Sequence, residues 1–338
     1  MKTPTAKKLP SGSWFVRVMI DGKSINITKT TKKEAEQEAM ALKSKAKAVA
    51  LSSGKTVAEA VADYIELRTS LSPSTIRRYR QFESNYFQSV MHLDIAEVTK
   101  EQWQKAVNLE KKNVSAKTLK NAWGFMSSVI TESTGRKIKV TLPQVIANEA
   151  KYISSANLKK FMEAARDNRY AIAIYLGLSG LRRSEILNVR WNDIDLENDC
   201  IWVRGAAVLD ENDVLVHKEE NKNSSSRRCV PFIIPQLREA VLAADKTKSE
   251  YAVVCHPNVI NANCKRICEQ AGIPVCTCHG LRKSFASMML VDLKLPEDLV
   301  MEAGGWSDPG TMHKIYTQVS RENLSKAGKK YTKLFSKL

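Results

Sequence analysis

Gly180-Leu181-Arg182-Arg183-Ser184-Glu185, placed where the chain turns into a helix, decides how the rest of the sequence is read. Three more motifs follow in order. Lys222-Asn223-Ser224-Ser225-Ser226-Arg227-Arg228-Cys229-Val230-Pro231 is a polar turn running into a strand, and His279-Gly280-Leu281-Arg282 enters another helix. Gly305-Trp306-Ser307-Asp308-Pro309 comes last, with Tyr316 ten residues beyond Trp306.

These residues suit phosphodiester chemistry that uses neither metal nor water as nucleophile. Tyr316 fits the nucleophile, but a phenol has an ordinary pKa near 10, so only about one in a thousand is ionised at pH 7. A cationic pocket lowers that value and positions the phosphate. Arg182 and Arg282 can supply the pocket, because each planar guanidinium grips phosphate oxygens through a fork that lysine does not reproduce. Trp306 can donate an indole N–H but does not titrate, which leaves it positioning and packing.

The four motifs together resemble the tyrosine recombinase, or phage integrase, family, whose pattern is G-L-R-x-S-E, a hairpin lysine, H-x-x-R, G-(H/W)-S and a tyrosine nucleophile. The resemblance implies a catalytic set of Arg182, Lys222, His279, Arg282, Trp306 and Tyr316. Lys222 would protonate the departing 5′ oxygen, His279 would assist proton transfer, and Glu185 would orient Arg182 or a neighbour. Lys218 competes with Lys222, and Tyr331 with Tyr316. His313, three residues before Tyr316, shares its helix face. The implied reaction is two transesterifications through a 3′-phosphotyrosine, with no cofactor and no metal. A type IB-like topoisomerase and a DNA-binding protein with a dead site are the competing classes.

Working outward, the fold class is multidomain and mainly α with small β-sheets. Residues 1–50 hold eleven lysines and arginines against four acids. Strands are expected at 14–20 and 23–28 around an Asp21-Gly22 turn, and Thr31 with Glu34 matches a capping box opening a helix to about 48. By resemblance this is an arm-type DNA-binding domain. Ser52-Ser53-Gly54 reads as a linker, and 55–145 as a wholly helical, core-binding (SAM-like) domain. There Val57, Ala60, Val61, Tyr64, Ile65 and Leu67 follow helical spacing. Ser72-Pro73-Ser74 restarts a helix whose Tyr79, Phe82 and Tyr86 face a core. Residues 150–338 form the mixed α+β catalytic domain. Helices are expected at 155–165 and 169–178, strands at 200–204, 213–217 and 227–232, and an amphipathic tail helix from about 321. Trp14, Arg17, Lys23, Arg77, Arg78, Arg80, Lys117, Lys120 and Arg228 are the expected DNA contacts, since basic groups at helix starts suit phosphate.

Composition agrees with a polyanionic partner. The 338 residues carry a formal charge of +17, and each cation placed near a phosphate releases condensed counterions. No stretch reaches the roughly 20 apolar residues of a membrane helix, and no signal peptide opens the chain. All seven cysteines lie between Cys200 and Cys278, which argues against a disulfide framework and for a reducing cytosol. Cys276 and Cys278 beside His279 lack common zinc spacing. By resemblance the partners are double-stranded DNA attachment sites, further copies of the chain joined through the tail as a tetramer on DNA, and an accessory directionality protein; the competing reading packs the tail onto its own domain. The expected place is the cytoplasm of a bacterial host, at the nucleoid.

Overall fold

The computed structural model describes residues 5–20, 23–52, 54–146, 151–218, 227–313, 328 and 336, with the side chains of 20, 23 and 45–52 excepted. It divides into two compact units, Met1–Ala147 and Asn148–Leu338.

In the first unit, β1 (Lys7–Lys8), β2 (Trp14–Ile20) and β3 (Lys23–Lys29) form an antiparallel sheet in that order. Trp14 pairs with Lys29 and Ile20 with Lys23, so the alternation puts Val16, Val18 and Ile27 inward. They pack on Ala35 and Ala39 of α1 (Lys32–Ser52), two small residues one turn apart that let helix and sheet approach closely. At the expected capping box the Thr31 hydroxyl accepts from the Glu34 N–H at 3.3 Å, and the Glu34 carboxylate reaches back to Thr31 and also accepts from the Thr30 hydroxyl at 3.1 Å. α1 runs through Ser52, past the expected end near 48. Asp21-Gly22 lies outside the described residues.

Four helices follow: α2 (Val57–Glu66), α3 (Pro73–Asn85), α4 (Lys100–Glu110) and α5 (Ala116–Thr134). Complete capping boxes open α2, at Thr56 and Glu59, and α4, at Thr99 and Gln102; each such cap is worth about 1 kcal/mol. Ser115 caps α5. Trp103, Phe87 and Trp123 meet edge to face at 5.7–6.4 Å in the core, and Phe82 is buried with Tyr79 and Tyr86 packed beside it. Two expectations are corrected. Leu67 follows the last turn of α2 as its C-cap and is 76% exposed, off the apolar face. The segment is helical only to Thr134, because Gly135 at φ +69° ends α5 and 135–146 is irregular.

The second unit contains α6 (Ser155–Ala165), α7 (Ala171–Leu178), α8 (Arg183–Ile186), β4 (Ile194–Asp195), β5 (Cys200–Val203), β6 (Ala206–Leu209), β7 (Leu215–Lys218) and β8 (Arg228–Pro231). Then come α9 (Pro235–Ala243), α10 (Pro257–Gln270), α11 (Cys278–Ser287) and α12 (Glu297–Gly304). Strands β4, β5 and β8 make one antiparallel sheet, and β6 and β7 make a hairpin. α7 is buried along almost its whole length and is the post around which α8, α9 and α11 pack. β4 and β6 escaped the sequence reading. The break between β5 and β6 falls at Gly205, where a Cβ would sit 2.0 Å from the Lys218 carbonyl oxygen.

The cysteine expectation needs correcting at one pair. Cys200 on β5 and Cys229 on β8 lie on adjacent strands with Cα atoms 5.9 Å apart and are joined by a disulfide; the other five are free. No three His, Cys, Asp or Glu side chains among the described residues are grouped to hold a metal ion, the run from Cys276 to His279 included. No described helix is long and apolar enough to cross a membrane.

Candidate active site

Four short segments of the second unit converge. Arg182 is the N-cap of α8, in extended conformation, and Glu185 sits one turn on, 3% exposed. Every acceptor position of Glu185 is filled. Its Oε2 accepts from the Arg182 backbone N–H at 2.8 Å and Arg228 Nη2 at 2.9 Å; its Oε1 accepts from Arg182 Nη1 at 2.6 Å and Arg228 Nη1 at 3.2 Å. Burial alone would raise the Glu185 pKa. The hydrogen bonds and charge of Arg228, then the charge of Arg182, outweigh it and hold the carboxyl below its usual range. Glu185 is therefore a carboxylate shared by two guanidinium groups.

α11 brings Arg282, 1% exposed. Its Nη1 donates to the carbonyl oxygens of Gly180 and, at 2.6 Å, Gly304. Both acceptors exist because of glycine. Gly180 adopts φ +91°, and a Cβ there would meet the Phe285 ring at 2.9 Å; at Gly304 a Cβ would run into the Trp306 ring at 1.8 Å. Trp306 in turn lies over the Arg282 guanidinium at 3.8 Å and parallel to Phe285, with centroids 6.4 Å apart. Burial, then the charge of Arg182, pull the Arg282 pKa down to about 9, so the group stays charged at neutral pH. Its Nη2 is buried with no hydrogen-bond partner among the described residues. A buried, charged N–H without an acceptor is costly, and an anionic oxygen is the acceptor that answers it.

His279 lies three residues before Arg282, on the same face and open to solvent. Partial burial, then the charges of Lys283, Arg282 and Arg182, hold its pKa below the usual imidazole value. Gly280 between them is forced by the approach of the chain entering the unit, since a Cβ there would lie 2.6 Å from the Lys151 carbonyl oxygen.

The structure thus gathers Arg182, Glu185, His279, Arg282 and Trp306. Lys222 and Tyr316 lie outside the described residues, as do Tyr331 and nearly all of the tail; Lys218 ends β7, half-buried, and His313 is exposed. Arg228, expected on DNA, is corrected: its side chain is 4% exposed and bound to Glu185 at both Nη atoms and to the Ala303 carbonyl at Nε. Sequence reasoning missed this role and that of the Gly180, Ala303, Gly304 and Gly305 carbonyls. The double glycine before Trp306 was the available signal. It also missed His217, whose Nδ1 lies 2.9 Å from Asn188 Oδ1 and whose ring stacks on Tyr251 at 3.8 Å.

In the first unit, Arg78, Lys117 and Lys120 are exposed, and Arg77 and Arg80 are half-buried, Arg80 pairing with Glu83 at 3.0 Å. Arg17 points out of the sheet, its Nε 3.4 Å from Asn26 Oδ1. Trp14 is a second correction: it shares the parity of Val16 and Val18 and packs against the inner core, so its ring is not part of the outward face. Lys23 opens β3, and its side chain is outside the described residues.

The profile of the phage integrase family matches residues 151–323, and the chain belongs to that family. Among curated relatives, it is 26% identical to the "Tyrosine recombinase XerC-like" protein of Caldanaerobacter subterraneus subsp. tengcongensis, over 80% of each chain. It is 27% identical to "Tyrosine recombinase XerA" of Pyrococcus furiosus, over 80% of this chain and 92% of that one. Among solved structures, the fold resembles the Tn1549 transposon integrase in complex with transposon right end DNA (TM-score 0.63, 15% identity, 80% and 99% covered). It also resembles a lambda integrase dimer bound to a core site (TM-score 0.56, 13% identity, 92% and 94% covered). The enzyme is a tyrosine-type site-specific recombinase.

Proposed function

We propose that the chain integrates or excises a mobile element, and that Arg182 and Arg282 bind the scissile phosphate while Tyr316 attacks it. The observation that carries this reading is the unpartnered Nη2 of buried Arg282 beside the half-exposed Arg182. In the first step the phenolic oxygen of Tyr316 bonds to phosphorus, the P–O5′ bond breaks, and Lys222 gives the leaving oxygen its proton. His279, neutral at pH 7, can take up the phenol proton. In the second step a 5′-hydroxyl of a partner strand attacks the phosphotyrosine and frees Tyr316. The phosphate ester is conserved throughout. Lys222 is preferred to Lys218 because Lys222 matches the K-x-x-x-S-R-R-x-V-P pattern.

The three-part division at about 50 and 150 remains part of this proposal, with the outward sheet face around Arg17 and the exposed Arg78, Lys117 and Lys120 as the DNA contacts. Four copies joined by their tails from about 321 would bridge two duplexes. The Tn1549 and lambda integrases were solved on DNA, and a lambda integrase tetramer on a Holliday junction; this supports the assembly by analogy. An accessory protein sets direction, and the reaction takes place on the host nucleoid in the cytoplasm.

The test is trapping on nicked duplexes carrying the ends of the element that encodes the chain. A denaturation-resistant protein–DNA adduct is expected from the parent chain and not from Tyr316→Phe. An adduct that survives in Tyr316→Phe moves the nucleophile to Tyr331. No adduct from either, on DNA both bind, refutes the cleavage reading in favour of binding alone.

A further inference from the structure

We infer that Arg228 is a positioning residue for strand cleavage: by occupying the two-oxygen face of Glu185 and the Ala303 carbonyl, it keeps Arg182 turned toward the DNA phosphate. The inference rests on the reading that Arg182 binds that phosphate.

The geometry around Glu185 is a competition between two forks for one carboxylate. Arg228 presents Nη1 to Oε1 and Nη2 to Oε2, at 3.2 and 2.9 Å, the paired arrangement that makes arginine–carboxylate contacts strong. Arg182 is left a single side-chain contact, Nη1 to Oε1 at 2.6 Å. Its Nη2 turns to the Gly305 carbonyl instead, and 38% of its side chain stays open to solvent. Remove the Arg228 fork, and nothing stops Arg182 from taking both Glu185 oxygens. Both Nη atoms would then turn onto Glu185, drawing the guanidinium off the Gly305 carbonyl and away from its solvent-facing position.

A second contact strengthens the assignment. Arg228 Nε donates to the Ala303 carbonyl at 2.9 Å, and its Nη1 lies against Gly305, where a Cβ would come within 2.7 Å. Gly305 sits at φ +66°, so the turn from Ala303 to Trp306 is moulded around the Arg228 guanidinium. That turn carries the carbonyls holding Arg182 and Arg282 and the ring covering Arg282. One buried guanidinium on β8 therefore sets the attitude of both phosphate-facing arginines. None of this requires Arg228 to touch DNA.

Removing the charge at position 228 leaves buried Glu185 with one cation in place of two and endangers the fold, so the test uses Arg228→Lys, which keeps the charge but not the fork. DNA affinity is expected to stay within about threefold while single-turnover cleavage falls about a hundredfold, since the loss is specific to the reacting state. Adding Glu185→Gln removes the anion that captures Arg182, and Arg228→Lys/Glu185→Gln is expected to cleave at least about tenfold faster than Arg228→Lys. A merely structural Arg228 predicts the reverse, because the second change removes another buried contact. A double variant no faster than the single one, or Arg228→Lys cleaving like the parent, overturns the inference. A crystal structure of Arg228→Lys gives a readout without cleavage. Arg182 is expected with both Nη atoms on Glu185; an Arg182 still bound to Gly305 overturns the inference. If the parent chain cuts no DNA, the proposed reaction fails, and the crystal structure still decides the role of Arg228.

Discussion

Arg282→Lys separates what the second arginine does for the fold from what it does for the reaction. The native guanidinium makes two hydrogen bonds to carbonyls, sits with its central carbon 3.8 Å from the Trp306 ring centroid and leaves Nη2 with no hydrogen-bond partner among the described residues. A lysine ammonium keeps the charge and can reach one of the two carbonyls, but it has no plane to stack and no second arm. The fold loses one charge-assisted hydrogen bond, about 1.5–3 kcal/mol, and part of a cation–π contact, about 0.5–2 kcal/mol. A total of about 2–5 kcal/mol leaves most domains folded, against the 5–15 kcal/mol of an ordinary domain. The reaction loses a donor aimed where charge develops, about 3–4 kcal/mol or 10²–10³-fold in rate. The assay is single-turnover cleavage of a nicked duplex at saturating protein, beside urea unfolding and DNA affinity of the same preparations. Cleavage should fall by those two to three orders of magnitude while duplex binding changes by less than about fivefold, because most of the footprint is made elsewhere. A folded Arg282→Lys chain that cleaves within about threefold of the parent would show that Nη2 is not a phosphate donor.

Three other expectations follow from the same geometry. The His279 pKa is lowered by partial burial first and by the charges of Lys283, Arg282 and Arg182 after it. On acidification the unfolded chain, with an ordinary value near 6.5, takes up this proton first. The stability His279 contributes is therefore complete above about pH 6.5 and is lost as pH falls through the folded value. Urea unfolding between about pH 5 and 7.5 should show a smaller acid loss in His279→Gln than in the parent; an equal loss assigns the effect to His217, whose pKa burial also lowers. Trp306→Phe keeps a ring over Arg282 but no N–H, so cleavage should drop no more than about tenfold, whereas Trp306→Ala uncovers the guanidinium and should cost distinctly more; equal rates in the two variants would remove the stacking argument. Gly305→Ala places a Cβ 2.7 Å from Arg228 Nη1 at φ +66°; a loss of at least about 1–2 kcal/mol in unfolding free energy is expected from the backbone alone, and an unchanged unfolding midpoint would refute the close packing.

What could be read in the sequence was what depends on local pattern. Strand β2 and its partner showed in the alternation of Trp14–Ile20, and α6 in the period of Ser155–Ala165. Arg182, His279, Arg282 and Trp306 stood in motifs whose spacing is itself the signal. What stayed hidden depends on contacts between segments far apart in the chain. Arg228 lies in a basic run and reads as a surface cation; only its pairing with Glu185, 43 positions earlier, makes it an interior group. Trp14 looks like a reading residue until the register places it with Val16 and Val18. β6 was invisible because Ala206–Leu209 has no strong alternation of its own, and Gly205 allows it to fold back against Lys218. The Cys200–Cys229 bond depends on the β5–β8 register, which no cysteine count contains.

The arrangement of charge in the site has a consequence for how such a centre tolerates its own assembly. Three guanidinium groups stand around one carboxylate: Arg182 and Arg228 share Glu185, and Arg282 is held by the Gly180 and Gly304 carbonyls and the Trp306 ring. Two positive charges are left over in a partly buried space, an arrangement that disfavours the unliganded state. Hydrophobic replacement would relieve the repulsion, and buried ion pairs are often no better than apolar contacts for stability. The cluster therefore makes sense through what it lacks. Glu185 cancels the interior charge of Arg228, so the surplus falls on Arg182 and Arg282, the two groups with a solvent-facing side or an unpartnered donor. A phosphate diester brings one negative charge, and a pentacoordinate transition state brings a second. The surplus of two thus matches the transition state more closely than the bound DNA, which is the condition for binding energy to accelerate the chemical step.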